Sequence, residues 1–151
     1  MLSRRGFVAM LAGLFVAVRR NGWATSTPTS ITVYKSRTCG CCAKWVDHLR
    51  AEGFKPQVHD EEDMDRLKDE LGVPQALRSC HTAVVGSYLI EGHVPAADIR
   101  QLLSDHPKAG GLAVPGMPPG TPGMAESDAA VGGFEVLAFQ PDGSTRIFAR
   151  H

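Results

Sequence analysis

The chain has 151 residues, with 16 Lys and Arg against 16 Asp and Glu, so its formal net charge is zero with neutral histidines. That length encloses one hydrophobic core rather than several, and the balanced charge excludes the basic excess by which proteins hold a nucleic-acid backbone. The four cysteines fall in only two places, Cys39-Gly40-Cys41-Cys42 and Cys80-His81.

Two arginines in Ser3-Arg4-Arg5-Gly6-Phe7 precede an apolar run over residues 7–18. This is the layout of a twin-arginine export signal. The run is twelve residues long when Arg19 and Arg20 end it, well short of the ~20 needed to span a bilayer. Small residues at Gly22 and Ala24 suit a cleavage point, which makes residues 1–24 the export signal and residues 25–151 a single exported, periplasmic domain. Cleavage would leave 151 − 24 = 127 residues, and the loss of Arg4, Arg5, Arg19 and Arg20 would bring the charge to 12 − 16 = −4. Such a domain is expected neither to bind nucleic acid nor to stay inserted in a membrane once the signal is removed.

Residues 25–30 form a polar leader, and residues 31–34 read as a first strand with Ile31 and Val33 on one face. After a turn, Cys42, Trp45, Val46 and Leu49 fall at helical spacing up to Gly53. The cysteines therefore straddle a strand-to-helix junction. Residues 54–59 read as a second strand and run into the acidic stretch 60–65, a solvated helix start. Met64, Leu67 and Leu71 carry that helix to Gly72. A loop over residues 73–80 then leads to a strand at 82–85, a two-residue turn at Gly86-Ser87, and a strand at 88–90. Pro95 opens a third helix, whose buried face holds Ile99, Leu102 and Leu103. Residues 108–133 are rich in Gly and Pro and contain Met117 and Met124, which predicts a long loop without regular structure. Residues 134–139 and 145–149 alternate as a hairpin appended to the core around Pro141-Asp142-Gly143. The fold class expected is α/β, with the order of a thioredoxin-like domain, in which a C-x-x-C motif opens the first helix.

A cysteine at a helix N-terminus meets unpaired N–H groups and the positive end of the macrodipole, which favours thiolate. Thiolate serves both disulfide exchange and metal binding. Cys39 and Cys42 have the spacing of a redox pair, but Cys41 adds a third thiol that a redox pair does not need and a metal site does. In thioredoxin-like domains a cis-proline precedes the third strand and lies against the active-site cysteines. Counting back from that strand puts His81 at or next to this place with Cys80 beside it, which adds imidazole and thiolate donors. Cys39, Cys41, Cys42, Cys80 and His81 are therefore the candidate metal ligands. Met117 and Met124, soft thioethers in an otherwise polar loop, are secondary candidates. His93 reads first as a cap of the third helix and second as a ligand. His48 and His59 read as solvated, and Trp45 and Met64 as core.

At Thr38-Cys39-Gly40-Cys41-Cys42 with Trp45, Ser79-Cys80-His81-Thr82-Ala83, Ile90-Glu91-Gly92-His93-Val94-Pro95-Ala96 and Gly111-Leu112-Ala113-Val114-Pro115-Gly116-Met117-Pro118, the chain resembles the domain-of-unknown-function 411 family, the CopG-like periplasmic copper-resistance proteins. The resemblance implies a thioredoxin-like fold, copper as the bound metal, a role in copper handling with redox activity, and copper ions and other periplasmic copper-handling proteins as partners.

Three functions follow as alternatives. The first is an exported protein that holds one or more Cu(I) ions in the cysteine cluster. The second is a periplasmic thiol–disulfide oxidoreductase in which Cys39 and Cys42 would be the catalytic pair. The third is a [2Fe–2S] protein with four cysteine ligands.

Overall fold

The computed structural model describes residues 28–124 and 133–151. The expected export signal, residues 1–24, and part of the long loop, residues 125–132, lie outside the described residues. In chain order the elements are β1 (Ser30–Lys35), α1 (Gly40–Ala51), β2 (Lys55–Asp60), α2 (Met64–Leu71), a 3-10 turn (Gln75–Leu77), β3 (His81–Val85), β4 (Tyr88–Glu91), α3 (Ala96–Asp105), β5 (Gly111–Ala113), β6 (Glu135–Phe139) and β7 (Thr145–Arg150). Among the described residues, seven strands form one mixed sheet in the order β2-β1-β3-β4-β5-β6-β7. β1 pairs parallel with β2 and antiparallel with β3, and β4 pairs parallel with β5.

Side chains alternate across a strand, and the two faces of this sheet are distinct. Ile31, Val33, Ala83, Val85, Ile90, Leu112, Val136 and Ala138 face the main core, where Trp45, Val46 and Leu49 of α1 and Ile99 and Leu102 of α3 cover them. The opposite face carries a smaller cluster of Leu77, Ala113 and Phe139, with Leu89 and Leu137 against it. α2 lies on this second face. Its one buried residue is Lys68, which hydrogen bonds Thr82 and Glu91, residues of opposite parity to Ala83 and Ile90. β2 is an edge strand whose residues are mostly exposed, a position that tolerates Pro56.

Two features differ from the sequence reading. The stretch 108–133 is not wholly irregular, because Gly111–Ala113 forms β5 and pairs with both β4 and β6. Three residues, two of them Gly and Ala, carry no readable period. As a result the C-terminal hairpin is not a separate appendage: β5 joins it to the sheet as the last two strands. No helix among the described residues is long and apolar enough to cross a membrane.

Candidate metal centre

The site forms where the N-terminus of α1 meets the turn entering β3. Cys39 is the N-cap of α1, and its sulfur accepts the Cys42 backbone N–H at 3.3 Å, the place an oxygen usually fills at a helix start. Cys39 and Cys42 are joined as a disulfide with Cα atoms 5.4 Å apart, while Cys41 and Cys80 are free thiols. Cys41 Sγ lies 3.6 Å from Cys39 Sγ and 4.0 Å from Cys80 Sγ. All four sulfurs fall within 4.8 Å of one another. Strand order brings Cys80 there, since β3 runs antiparallel beside β1 and its first residue, His81, pairs with Lys35 at the end of β1.

A second donor set shares Cys80. Its Sγ is 3.4 Å from His81 Nδ1 and 3.2 Å from His93 Nε2, and Cys80, His81 and His93 also fall within 4.8 Å of one another. His81 thus joins the site through Cys80 and His93 rather than within the four-sulfur group. His93 Nδ1 is 2.6 Å from the Pro122 carbonyl. A carbonyl only accepts, so the proton is on Nδ1 and Nε2 presents its lone pair to Cys80. This is the arrangement by which a second partner fixes the tautomer of a ligating histidine.

The electrostatics follow from burial. Burial first, and then the neighbouring Cys41, pushes the Cys80 thiol up to about 11, so at neutral pH it carries its proton and donates toward His93. His81 is fully buried, and burial, then His93, then Lys68, hold its basicity well below the usual histidine range. Burial also lowers His93. Both rings are therefore neutral and able to ligate. His81 Nε2 has no hydrogen-bond partner, and its ring lies 4.3 Å from that of Trp45 between centroids. An unsatisfied buried nitrogen on a ring that shares a donor set with Cys80 and His93 fits a soft metal ion better than a closed hydrogen-bonded core.

Residues 114–124 form a strap across this end of the molecule. Gly123 has φ +86°, and a Cβ there would stand 2.7 Å from the Trp45 backbone nitrogen and 2.9 Å from the Cys41 carbonyl oxygen. Only glycine lets the strap lie flat on α1 while Pro122 reaches His93. Met124 lines a groove with Lys44, Asp47 and Gly123 on the outer side of α1. Met117, half-buried, takes φ +49° between Gly116 and Pro118.

Two readings of histidines are corrected. His93 does not cap α3, whose N-cap is Pro95 with no side-chain bond. That role falls to His48, whose Nε2 accepts the Ala96 N–H at 3.2 Å. His48 is accordingly half-buried rather than solvated, and burial lowers its basicity. The sequence reading also missed the buried Lys68–Glu91 pair, whose carboxylate accepts the Ser79 N–H next to Cys80. Its signal was present: Lys68 occupies the i+4 place of the stripe Met64, Leu67, Leu71, where an apolar residue belongs.

A family model described as "Protein of unknown function, DUF411" matches residues 77–124, the segment carrying Cys80, His81, His93 and the strap. No curated protein matches the chain. Two solved structures do, titled "Copper resistance protein copG- Form 2" and "Copper resistance protein copG- Form 1". Each is 42% identical over 83% of this chain; they are covered to 99% and 98% and align with TM-scores of 0.77 and 0.76 respectively. This chain belongs to the CopG-like DUF411 family. Membership extends beyond the 77–124 segment, because the aligned share of the CopG structures is nearly their whole length.

Proposed function

We propose that this protein is an exported copper-binding protein that holds Cu(I) in its cysteine cluster and serves copper resistance or homeostasis. The observation that carries the reading is the convergence of four sulfurs from two distant parts of the chain, with Cys80 brought against the α1 cysteines. Thiolate ligands suit soft ions, Cu(I) among them, and the two solved structures most of this chain aligns with, titled copper resistance proteins, favour copper within that set. Cys39, Cys41, Cys42 and Cys80 supply the thiolates, and His81 and His93 supply imidazole nitrogen on the far side of Cys80. Thiolates this close can bridge, so more than one copper per chain fits. Met117 and Met124 remain outlying soft donors on the strap. Two arrangements support the thioredoxin-like reading: the C-x-x-C pair opens the helix after β1, and the first four strands run β2-β1-β3-β4. Export to the periplasm rests on residues 1–24, and other periplasmic copper-handling proteins are the expected partners.

The Cys39–Cys42 disulfide favours a second reading, a thiol–disulfide oxidoreductase. The two readings are linked. A disulfide withholds two of the four thiolates, and its two-electron reduction returns them, so copper holding belongs to the reduced protein. The test is an anaerobic competition titration against a Cu(I) chelator with reduced protein, with the disulfide form, and with Cys41→Ser. Reduced wild-type protein should win copper and the disulfide form should hold it far more weakly. Cys41→Ser should lose more than the roughly 10–100-fold typical of an outer-shell change while keeping its Cys39–Cys42 disulfide. Failure of the reduced protein to compete, together with turnover of insulin disulfides by Cys41→Ser, would replace the first reading by the second.

A further inference from the structure

On the face of the sheet opposite His81 and Trp45 lies a polar network centred on two buried charges. Glu91 is 0% exposed and Lys68 is 2% exposed. Lys68 Nζ donates to Glu91 Oε1 at 2.5 Å and to Thr82 Oγ1 at 2.7 Å. The Thr82 hydroxyl donates to Glu91 Oε2 at 2.6 Å, and the Ser79 backbone N–H donates to Glu91 Oε1 at 2.5 Å. One carboxylate therefore grips both ends of the four-residue stretch from Ser79 to Thr82, and the two residues between its grips are Cys80 and His81. The far strand holds the same stretch, as the Gly92 N–H donates to the His81 carbonyl at 3.2 Å.

A buried ion pair is a weak source of stability, because desolvating each ion costs several kcal/mol and well-packed apolar replacements are often neutral or better. The pair at Lys68 and Glu91 therefore calls for another role, and the contacts supply it. We propose that Glu91, charge-balanced by Lys68, is a positioning residue that fixes the Ser79–Thr82 turn so that Cys80 is held against Cys41 and His93. The inference rests on the copper reading for its consequence but not for its geometry. Cys80 is the sulfur common to both donor sets, and it is the one cysteine outside α1 and its N-cap. Without the clamp its turn keeps the β-ladder bonds and only long sulfur contacts such as Cys42 Sγ to the Cys80 carbonyl at 3.8 Å, and both donor sets widen together.

The test uses reduced, copper-free protein. Alkylation of each cysteine is timed by peptide mapping in wild type, in Lys68→Met/Glu91→Leu, in Thr82→Val and in Thr82→Ser, with urea denaturation to establish folding. The double variant removes both charges at once, so no unpaired ion is left in the core. Expected is a folded protein in which Cys80 alkylation rises about tenfold through local opening while Cys41 stays within about twofold. Its Cu(I) affinity should fall by roughly 10–100-fold. Thr82→Val should move the same way by less, and Thr82→Ser, which keeps the hydroxyl, should match wild type. A folded double variant with wild-type Cys80 reactivity overturns the proposal. If the double variant does not fold, a wild-type rate in Thr82→Val overturns it instead. Wild-type protein that retains no Cu(I) sinks the copper reading alone, since the alkylation rates still decide whether the clamp exists.

Discussion

Substituting Gly123 by Ala separates the strap from the rest of the fold. Two costs add at this position. A side chain at φ +86° costs about 1–2 kcal/mol in the left-handed region. The Cβ would also press on the Trp45 nitrogen at 2.7 Å and the Cys41 carbonyl at 2.9 Å. These are backbone atoms of a helix that cannot rotate away, and overpacking of this kind costs about 1–3 kcal/mol. The sum is roughly 2–5 kcal/mol against the closed strap, and lifting the strap relieves all of it. The fold has no reason to fail, because α1, α3 and the sheet hold the main core. Hydrogen exchange reads the opening directly at the Thr121 and Met124 amides, which donate within the strap. At the lower bound of about 2 kcal/mol these should exchange about 30-fold faster, while the amides of β1 and β3 do not change. The lifted strap also frees His93 from Pro122, so reduced protein should lose roughly 10–100-fold in Cu(I) affinity. Gly120→Ala is the control: Gly120 has φ +87° with nothing within 4 Å, so only the smaller conformational cost applies. Equal exchange in Gly123→Ala and wild type would refute the close approach of strap and helix.

Three further outcomes follow from the buried groups. His81 has a folded-state basicity well below its unfolded value, so the unfolded chain binds more protons beneath pH 6.5; stability is full above that pH and falls as pH drops through it. Urea melts of the disulfide form should show a loss of up to about 1.4 kcal/mol per pH unit from this one residue, and His81→Gln should flatten the slope; an unchanged slope would remove His81 from the core. Because the Cys80 thiol sits at about 11, binding a metal there displaces a proton. Cu(I) affinity should therefore rise with pH across 6–8, by up to about one decade per unit, and the rise should shrink in Cys80→Ser. His48→Ala removes the cap on the Ala96 N–H and should cost about 0.5–2 kcal/mol in urea melts without altering copper affinity.

Much of this was legible in the sequence because the deciding signals are local. The turn after β1 and the apolar spacing of Cys42, Trp45, Val46 and Leu49 place the cysteines at a helix start, and the structure places Cys39 there as the cap. The approach of Cys80 and His81 was also legible, since strand order alone sets the antiparallel pairing that ends at His81. What could not be read depends on contacts between segments with no pattern in common. His48 takes the capping role read for His93 because α1 passes beside the start of α3, which no spacing along the chain records. β5 escaped for lack of a period, and Lys68 and Glu91 escaped because each is a charged residue whose burial is explained only by the other.

The strap leaves the sheet after Ala113 in β5 and the chain returns as β6, with Ala113 paired to Leu137. Its two anchors are thus neighbours in one ladder, a strand spacing of about 4.8 Å apart, whatever the intervening residues do. A closed excursion of this kind passes little strain to the strands that bracket it, and lengthening it costs only about 0.6 kcal/mol per doubling. The cover of the thiol site is consequently free to vary in length and side-chain content without re-registering the sheet. Evolution, or a protein engineer, can retune what reaches the sulfurs by rewriting one insert while the scaffold that gathers them stays as it is.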